Sequence, residues 1–143
     1  MASADDGRGI KRPKNAPDRP TNDIRTYRDL LVWQRAMDLA EAVYRATEVF
    51  EKREKYGLVS QMRRAVVSVG SNIAEGFGRG RKAEFERYLE IARGSLFELQ
   101  TQAELTRRLG WLKGEVLGDL RNRTQEVDRL LSGLLRSVKR RKA

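Results

Sequence analysis

Five cations near one glycine-rich turn are the side chains best suited to chemistry in this sequence. Arg63, Arg64, Arg79, Arg81 and Lys82 flank or follow the run Gly76-Phe77-Gly78-Arg79-Gly80, and Glu75 is the only acid between them. Clustered guanidinium and ammonium groups raise the local potential and attract phosphates. A helix beginning just after the turn adds backbone amide donors and the positive end of its dipole. A second basic cluster, Arg136, Lys139, Arg140, Arg141 and Lys142, contains no acid at all. Both clusters are candidate nucleic-acid contacts. Few aromatic residues accompany them, so the expected binding is phosphate-dominated and salt-sensitive, without evident base stacking.

A polar stripe forms the second constellation. Arg64, Ser68, Ser71, Asn72 and Glu75 recur at spacings of three and four, which places them on one side of a helix. Ser95, Glu98 and Gln102 form an answering set just after Gly94. Buried polar groups must be paired. The favoured reading is a satisfied network between helices or between subunits, fixing their register; the alternative is a ligand or RNA contact.

Catalysis has little to work with. The sequence contains no His and no Cys. This removes the commonest general base, the commonest metal ligand and every thiolate site. No phosphate loop, dinucleotide fingerprint or carboxylate metal motif is present. Gly76, Gly78 and Gly80 superficially suggest a phosphate cradle, but they follow a helical pattern instead of a strand and lack the Lys-Ser/Thr ending. They are better read as a helix stop. The expectation is a non-enzyme with no cofactor and no metal.

The elements that must position these groups are helices. The chain has 143 residues, 39% hydrophobic and 35% charged, with a net charge of +10. That length suits one domain with a real core. No apolar run approaches the roughly 18 residues of a membrane span, and no hydrophobic leader is evident, so a cytoplasmic location without membrane contact is expected. Residues 1–28 hold all three prolines and carry a net charge of +3, the reading of a flexible basic arm. Residues 55–82 carry +5 and residues 107–143 carry +7, so the charge is local.

From Asp29 the apolar period becomes helical. A first helix shows Leu30, Trp33, Met37, Ala40, Tyr44 and Thr47 as its stripe, flanked by Ala36, Val43 and Phe50, with Thr26 or Asp29 as its cap. A second, about Lys55 to Phe77, carries Leu58, Met62, Ala65, Val66, Val69, Ile73 and Phe77. A third, about Lys82 to Leu109, carries Phe85, Leu89, Ala92, Leu96, Leu99 and Ala103 and ends at Gly110. A fourth, from about Lys113, carries Val116, Leu120, Val127, Leu131, Leu134 and Val138, with Leu130 and Leu135 beside them. Four such helices with short connections predict an all-α, antiparallel up-down four-helix bundle over residues 29–137, followed by a basic tail, 138–143.

Several ordered motifs resemble one family. Leu30-Leu31-Val32-Trp33-Gln34, Tyr56-Gly57-Leu58, Gln61-Met62-Arg63-Arg64-Ala65, Ser68 and Ser71-Asn72-Ile73-Ala74-Glu75-Gly76 with Arg79 come first. Glu84-Phe85, Tyr88-Leu89, Ile91-Ala92 and Gly94-Ser95-Leu96 with Glu98 follow. Over roughly residues 27–137 this pattern resembles the bacterial four-helix-bundle proteins known as 23S ribosomal RNA intervening-sequence proteins. That family usually has a proline near Gly70, whose absence here should alter only a local bend. The resemblance implies a bundle that assembles into a homopentameric ring and associates with RNA. The accessory proteins of diversity-generating retroelements look similar, and they imply an alternative: a scaffold that binds a reverse transcriptase and its RNA. The family offers no established catalytic residue to carry over.

Overall fold

In a computed structural model, residues 23–50 and 57–142 are described. All regular structure among them is helical, with no strand. A short 3-10 turn, Tyr27–Asp29, precedes four helices: α1 (Leu31–Thr47), α2 (Leu58–Gly78), α3 (Lys82–Arg108) and α4 (Gly114–Arg140). The expected arm falls largely at 1–22, outside the described residues. Its last residues are not an appendage, because Tyr27 packs against the core. The expected tail also begins inside a helix: α4 continues to Arg140 and Val138 is fully buried.

Local chemistry sets the boundaries. Thr26 and Asp29 cap the 3-10 turn instead of α1 itself. The Thr26 hydroxyl accepts from the Arg28 amide, and the Asp29 carboxylate accepts from the Thr26 amide. Gln34 then ties this turn to α1 by donating to the Arg28 carbonyl at 2.8 Å. At the far end of α2, Gly80 takes a φ of +73°, a left-handed conformation that needs no Cβ, and the glycine run does end the helix. Gly110 does the same after α3, where the Trp111 amide reaches back to the Thr106 carbonyl at 2.9 Å. Arg107 and Arg108 sit in the last turn of α3 and complement its dipole.

Contacts between neighbouring helices pair rising with falling residue numbers. Between α1 and α2, Arg63 meets Tyr44 and Thr47, whereas a Cβ at Gly70 would face Ala36, Met37 and Trp33. Ser68 meets Ser95 and Phe77 meets Phe85 between α2 and α3. Arg121 meets Glu104 and Lys139 meets Glu90 between α3 and α4. Arg35 of α1 reaches Glu126 of α4 at 3.2 Å. The four inward faces enclose Leu39, Met62, Ile73, Leu89, Leu96, Leu99, Val127 and Leu131, all nearly or wholly buried. Burying each such side chain contributes about 1.5–3 kcal/mol before entropy is counted. At one end of the bundle Phe50 packs edge-on against Trp111, with ring centroids 5.7 Å apart.

Two apolar stripes are rotated from their expected positions. In α1 the buried residues are Val32, Ala36, Leu39, Val43 and Thr47. Trp33 and Ala40 lie at the edge, and Met37 and Tyr44 are each 41% exposed. The sequence supports both stripes because α1 is apolar over most of its circumference. In α4, Leu117 is buried and Val116 is 49% exposed, and Leu135 replaces Leu134 in the interior. A helix of 3.6 residues per turn drifts out of a strict heptad over its length, which moves the seam by one residue.

Candidate nucleic-acid interface

The three residues between α2 and α3 bring Arg79, Arg81 and Lys82 to one end of the bundle. They do not present these cations equally. Arg79 donates twice to Glu75 Oε1, from Nη2 at 2.7 Å and Nε at 3.2 Å. Its Nη2 also donates to the Tyr88 hydroxyl at 3.0 Å, and the guanidinium lies 5.2 Å from the centre of that ring. The Glu75 bond, followed by the Tyr88 oxygen, pushes the Arg79 pKa above its ordinary value. Gly76 makes this possible: a Cβ there would fall 2.6 Å from the Tyr88 Cβ, so only glycine lets Tyr88 lie across α2. Lys82 pairs with Glu86 at 3.5 Å. The Arg81 side chain makes no hydrogen bond or ion pair among the described residues and faces solvent.

Arg63 and Arg64 do not join this end. They lie in the first two turns of α2, and the 15 residues from Arg64 to Arg79 separate them by about 22 Å along the helix. Arg63 is also committed elsewhere. Its Nε donates to Thr47 Oγ1 at 3.0 Å, its Nη2 donates to the Tyr44 carbonyl at 3.2 Å, and it covers the Tyr44 ring at 4.5 Å. It caps α1, a role that sequence proximity to the glycine run concealed. Arg64 is exposed and unpaired among the described residues.

The basic end of α4 takes their place. Lys139 pairs with Glu90 of α3 at 3.2 Å, which sets the last turns of α4 beside the first half of α3. Glu90 is eight residues into α3, about 12 Å from Lys82 along the axis. Arg136, Arg140 and Arg141 are exposed and make no ion pair among the described residues. The candidate surface therefore holds Arg81, Lys82, Arg136, Lys139, Arg140 and Arg141, with Arg79 held against Tyr88 at its edge. Glu84 lies in the first turn of α3, where it competes with any anion for the helix amides.

The polar stripe resolves into a smaller network. Ser68 Oγ and Ser95 Oγ are 2.8 Å apart, and Asn72 Nδ2 donates to the Ser68 carbonyl at 2.8 Å and to Ser68 Oγ at 2.9 Å. Ser95 is only 8% exposed, so this is an interhelix network. Ser71 and Glu98 are exposed and outside it, and Glu75 turns to Arg79. Gln102 Oε1 is buried and has no hydrogen-bond partner among the described residues.

Sequence reasoning passed over two further surfaces. On the α1–α2 face, Trp33, Met37, Ala40, Val67, Gly70 and Ala74 line an apolar groove of about 290 Å³. Val67 is 46% exposed there although it sits in a run of apolar residues. On the α3–α4 face, Phe97 is 46% exposed and Arg93 lies 5.2 Å from its ring centre. The spacing of four between Arg93 and Phe97 was the available signal. Among the described residues no helix is long and apolar enough to cross a membrane.

No match is found among curated proteins. Among solved structures, the chain is similar to a protein of unknown function from the S23 ribosomal protein family of Bacteroides thetaiotaomicron. The two share 22% identity over 74% of this chain and 96% of that one, with a TM-score of 0.67. At that identity the likeness speaks for the helical fold. The family model of the 23S rRNA-intervening sequence protein matches residues 28–133, most of the chain and all four helices except the last turns of α4. This chain belongs to the 23S rRNA-intervening sequence protein family.

Proposed function

We propose that the chain is a non-catalytic, cytoplasmic RNA-binding module, built as an antiparallel up-down bundle and working as a homopentameric ring. One observation carries the binding role. Arg81 lies at the α2–α3 turn and Arg140 and Arg141 lie at the end of α4, toward the same end of the bundle, and none of the three has a carboxylate partner among the described residues. Unpaired, solvated guanidinium groups suit a phosphodiester backbone, and each phosphate neutralised releases counterions. The pairing of rising with falling residue numbers in the α1–α2, α2–α3 and α3–α4 contacts supports the bundle order. The apolar groove on the α1–α2 face supports assembly, since an uncharged patch with a half-exposed Met37 and Val67 is suited to burial against another copy.

The test is retention of RNA by the triple variant Arg81→Glu, Arg140→Glu, Arg141→Glu. The wild type is expected to bind with a steep loss of affinity as salt rises, and the variant to lose retention at moderate salt. A variant that binds as the wild type does at every salt concentration removes this surface from the function.

The same groove favours a second reading, an accessory scaffold of a diversity-generating retroelement that binds a reverse transcriptase. Co-purification with a reverse transcriptase encoded beside it is the expected sign. Failure to co-purify in a strain expressing both counts against that reading.

A further inference from the structure

We infer that the groove between α3 and α4 is a subsite for one unstacked nucleobase of single-stranded nucleic acid, with Phe97 as the stacking platform. The inference rests on the RNA-binding reading and adds to it a preference for unpaired strands.

The groove encloses about 390 Å³ and is lined by Arg93, Gly94, Phe97, Ser132, Arg136 and Lys139, with Leu135 at its base. That volume lies at the lower end of the roughly 300–1,000 Å³ common for small-molecule sites. Three cations face one acid, Glu90, which Lys139 already holds at 3.2 Å. Arg136 has no ion pair among the described residues, and Arg93 reaches Asp128 only at 3.9 Å. The rim therefore carries positive charge in excess and runs into Arg140 and Arg141 on the next turn of α4.

The Phe97 ring does not belong to the core of the bundle. It is 46% exposed, and its partner is the Arg93 guanidinium at 5.2 Å. Guanidinium planes and aromatic faces are the two protein surfaces on which bases stack. One turn earlier, Gly94 leaves the space beside the ring empty: a Cβ added there would meet nothing within 4 Å. Ser132 offers a hydroxyl across the groove, held only by a 3.5 Å contact to Asp128. A base on Phe97 thus has a face, a polar edge partner and cations for its flanking phosphates. A base paired within a duplex cannot expose its face to such a ring, so the site selects unpaired nucleotides.

The probes are a fluorescein-labelled uridine oligonucleotide of about twelve residues, within the site sizes usual for single-strand binders, and an RNA duplex of equal length. The full-length wild type is expected to bind the single strand more tightly. Phe97→Ala should weaken single-strand binding about tenfold, the loss expected for one base stack, and leave duplex binding and the salt slope unchanged. Gly94→Leu, whose Cβ would meet nothing within 4 Å and whose side chain would occupy the groove, should do the same. Arg136→Gln should instead lower the salt slope by about one and keep the single-strand preference. Photocrosslinking of a 4-thiouridine version of the strand should label the peptide that contains Phe97.

Unchanged single-strand affinity in both Phe97→Ala and Gly94→Leu, with the wild type binding, overturns the subsite and leaves the RNA-binding reading intact. Binding of neither probe by the wild type overturns both. Dissociation of the oligomer by Phe97→Ala, with no crosslink at Phe97, assigns the groove to a contact between copies and overturns the subsite.

Discussion

Arg63 on α2 closes the C-terminal end of α1 by donating from Nε to Thr47 Oγ1 at 3.0 Å. The same guanidinium reaches the Tyr44 carbonyl at 3.2 Å and covers the Tyr44 ring. Helix ends leave carbonyls without intrahelical partners, and a cation there also meets the negative end of the dipole. Arg63 therefore belongs to the architecture. Arg63→Ala is expected to lower stability by about 1.5–3 kcal/mol, the worth of a hydrogen bond to a charged group, and to leave RNA affinity nearly unchanged. Urea denaturation and filter binding on one preparation check both halves. Arg63→Lys should not restore stability, because an ammonium cannot fork to two acceptors and cover a ring together.

Gly76 and Gly118 should respond oppositely to alanine. A Cβ at Gly76 would press on the Tyr88 backbone-proximal Cβ at 2.6 Å and on Phe85 at 3.3 Å, so Gly76→Ala should destabilise by about 1–3 kcal/mol. Nothing lies within 4 Å of the corresponding point at Gly118, inside α4. Gly118→Ala should stabilise by about 0.5–1 kcal/mol through helix propensity alone. Thermal melts of the two variants are sufficient, and a shift of the same sign in both would contradict the close approach at Gly76.

Ser68 and Ser95 should be energetically coupled. Ser68→Ala removes an acceptor of Asn72 and the partner of a buried hydroxyl, and should cost about 1 kcal/mol, as should Ser95→Ala. The double variant should cost less than the sum, by about 0.5 kcal/mol or more, in a double-mutant cycle. Strict additivity would mean that the hydroxyls do not meet.

Glu104 gathers three arginines. It accepts from Arg107 Nη2 at 2.8 Å, Arg108 Nε at 3.0 Å and Arg121 Nη2 of α4 at 3.2 Å. The hydrogen bonds from Arg107, then Arg108, hold its carboxyl at about 2, below the ordinary 4.5. A depressed carboxylate stabilises the fold above its unfolded pKa and loses that contribution as pH falls through the folded value. The wild type should therefore exceed Glu104→Gln in stability above about pH 4.5, with the difference vanishing towards pH 2. The site is exposed, so added salt should shrink the effect. Denaturant midpoints across that range provide the measurement.

The proposed ring should depend on the α1–α2 face. Met37→Glu or Val67→Glu places a charge in the apolar groove and should yield monomers with unchanged helical content. Sedimentation and far-ultraviolet circular dichroism separate this from unfolding. An oligomer that survives both substitutions would move the subunit contact elsewhere.

The helices were legible because periodicity, glycine stops and charged termini agreed. α3 matches its expected bounds to within one residue, and α4 begins one residue later than expected. The rotation of α1 was not legible. Leu30 to Tyr44 contains two competing apolar stripes, and packing against both α2 and α4 decides between them. The candidate surface was legible in part. Arg81 and Lys82 were found from charge, but Arg63 and Arg64 were grouped with them by sequence distance, which the length of α2 turns into separation in space. Nearness of the α4 terminus to the α2–α3 turn is a property of topology and leaves no local mark in the chain. Phe97 lies between Leu96 and Glu98, off the α3 stripe, and only the packing of α3 against its neighbours shows that it is exposed.

The tight α2–α3 contact at Gly76, joined by only three residues, also bears on the order in which the chain folds. These two helices share the most extensive interface in the bundle, and its contacts are close in sequence. Local contacts form with little loop-closure entropy, so the α2–α3 hairpin is the natural nucleus, with α1 and α4 docking later. Truncations inside it, such as Ile73→Val or Leu89→Ala, should slow refolding. Leu39→Ala and Val127→Ala, in the late-docking helices, should chiefly speed unfolding.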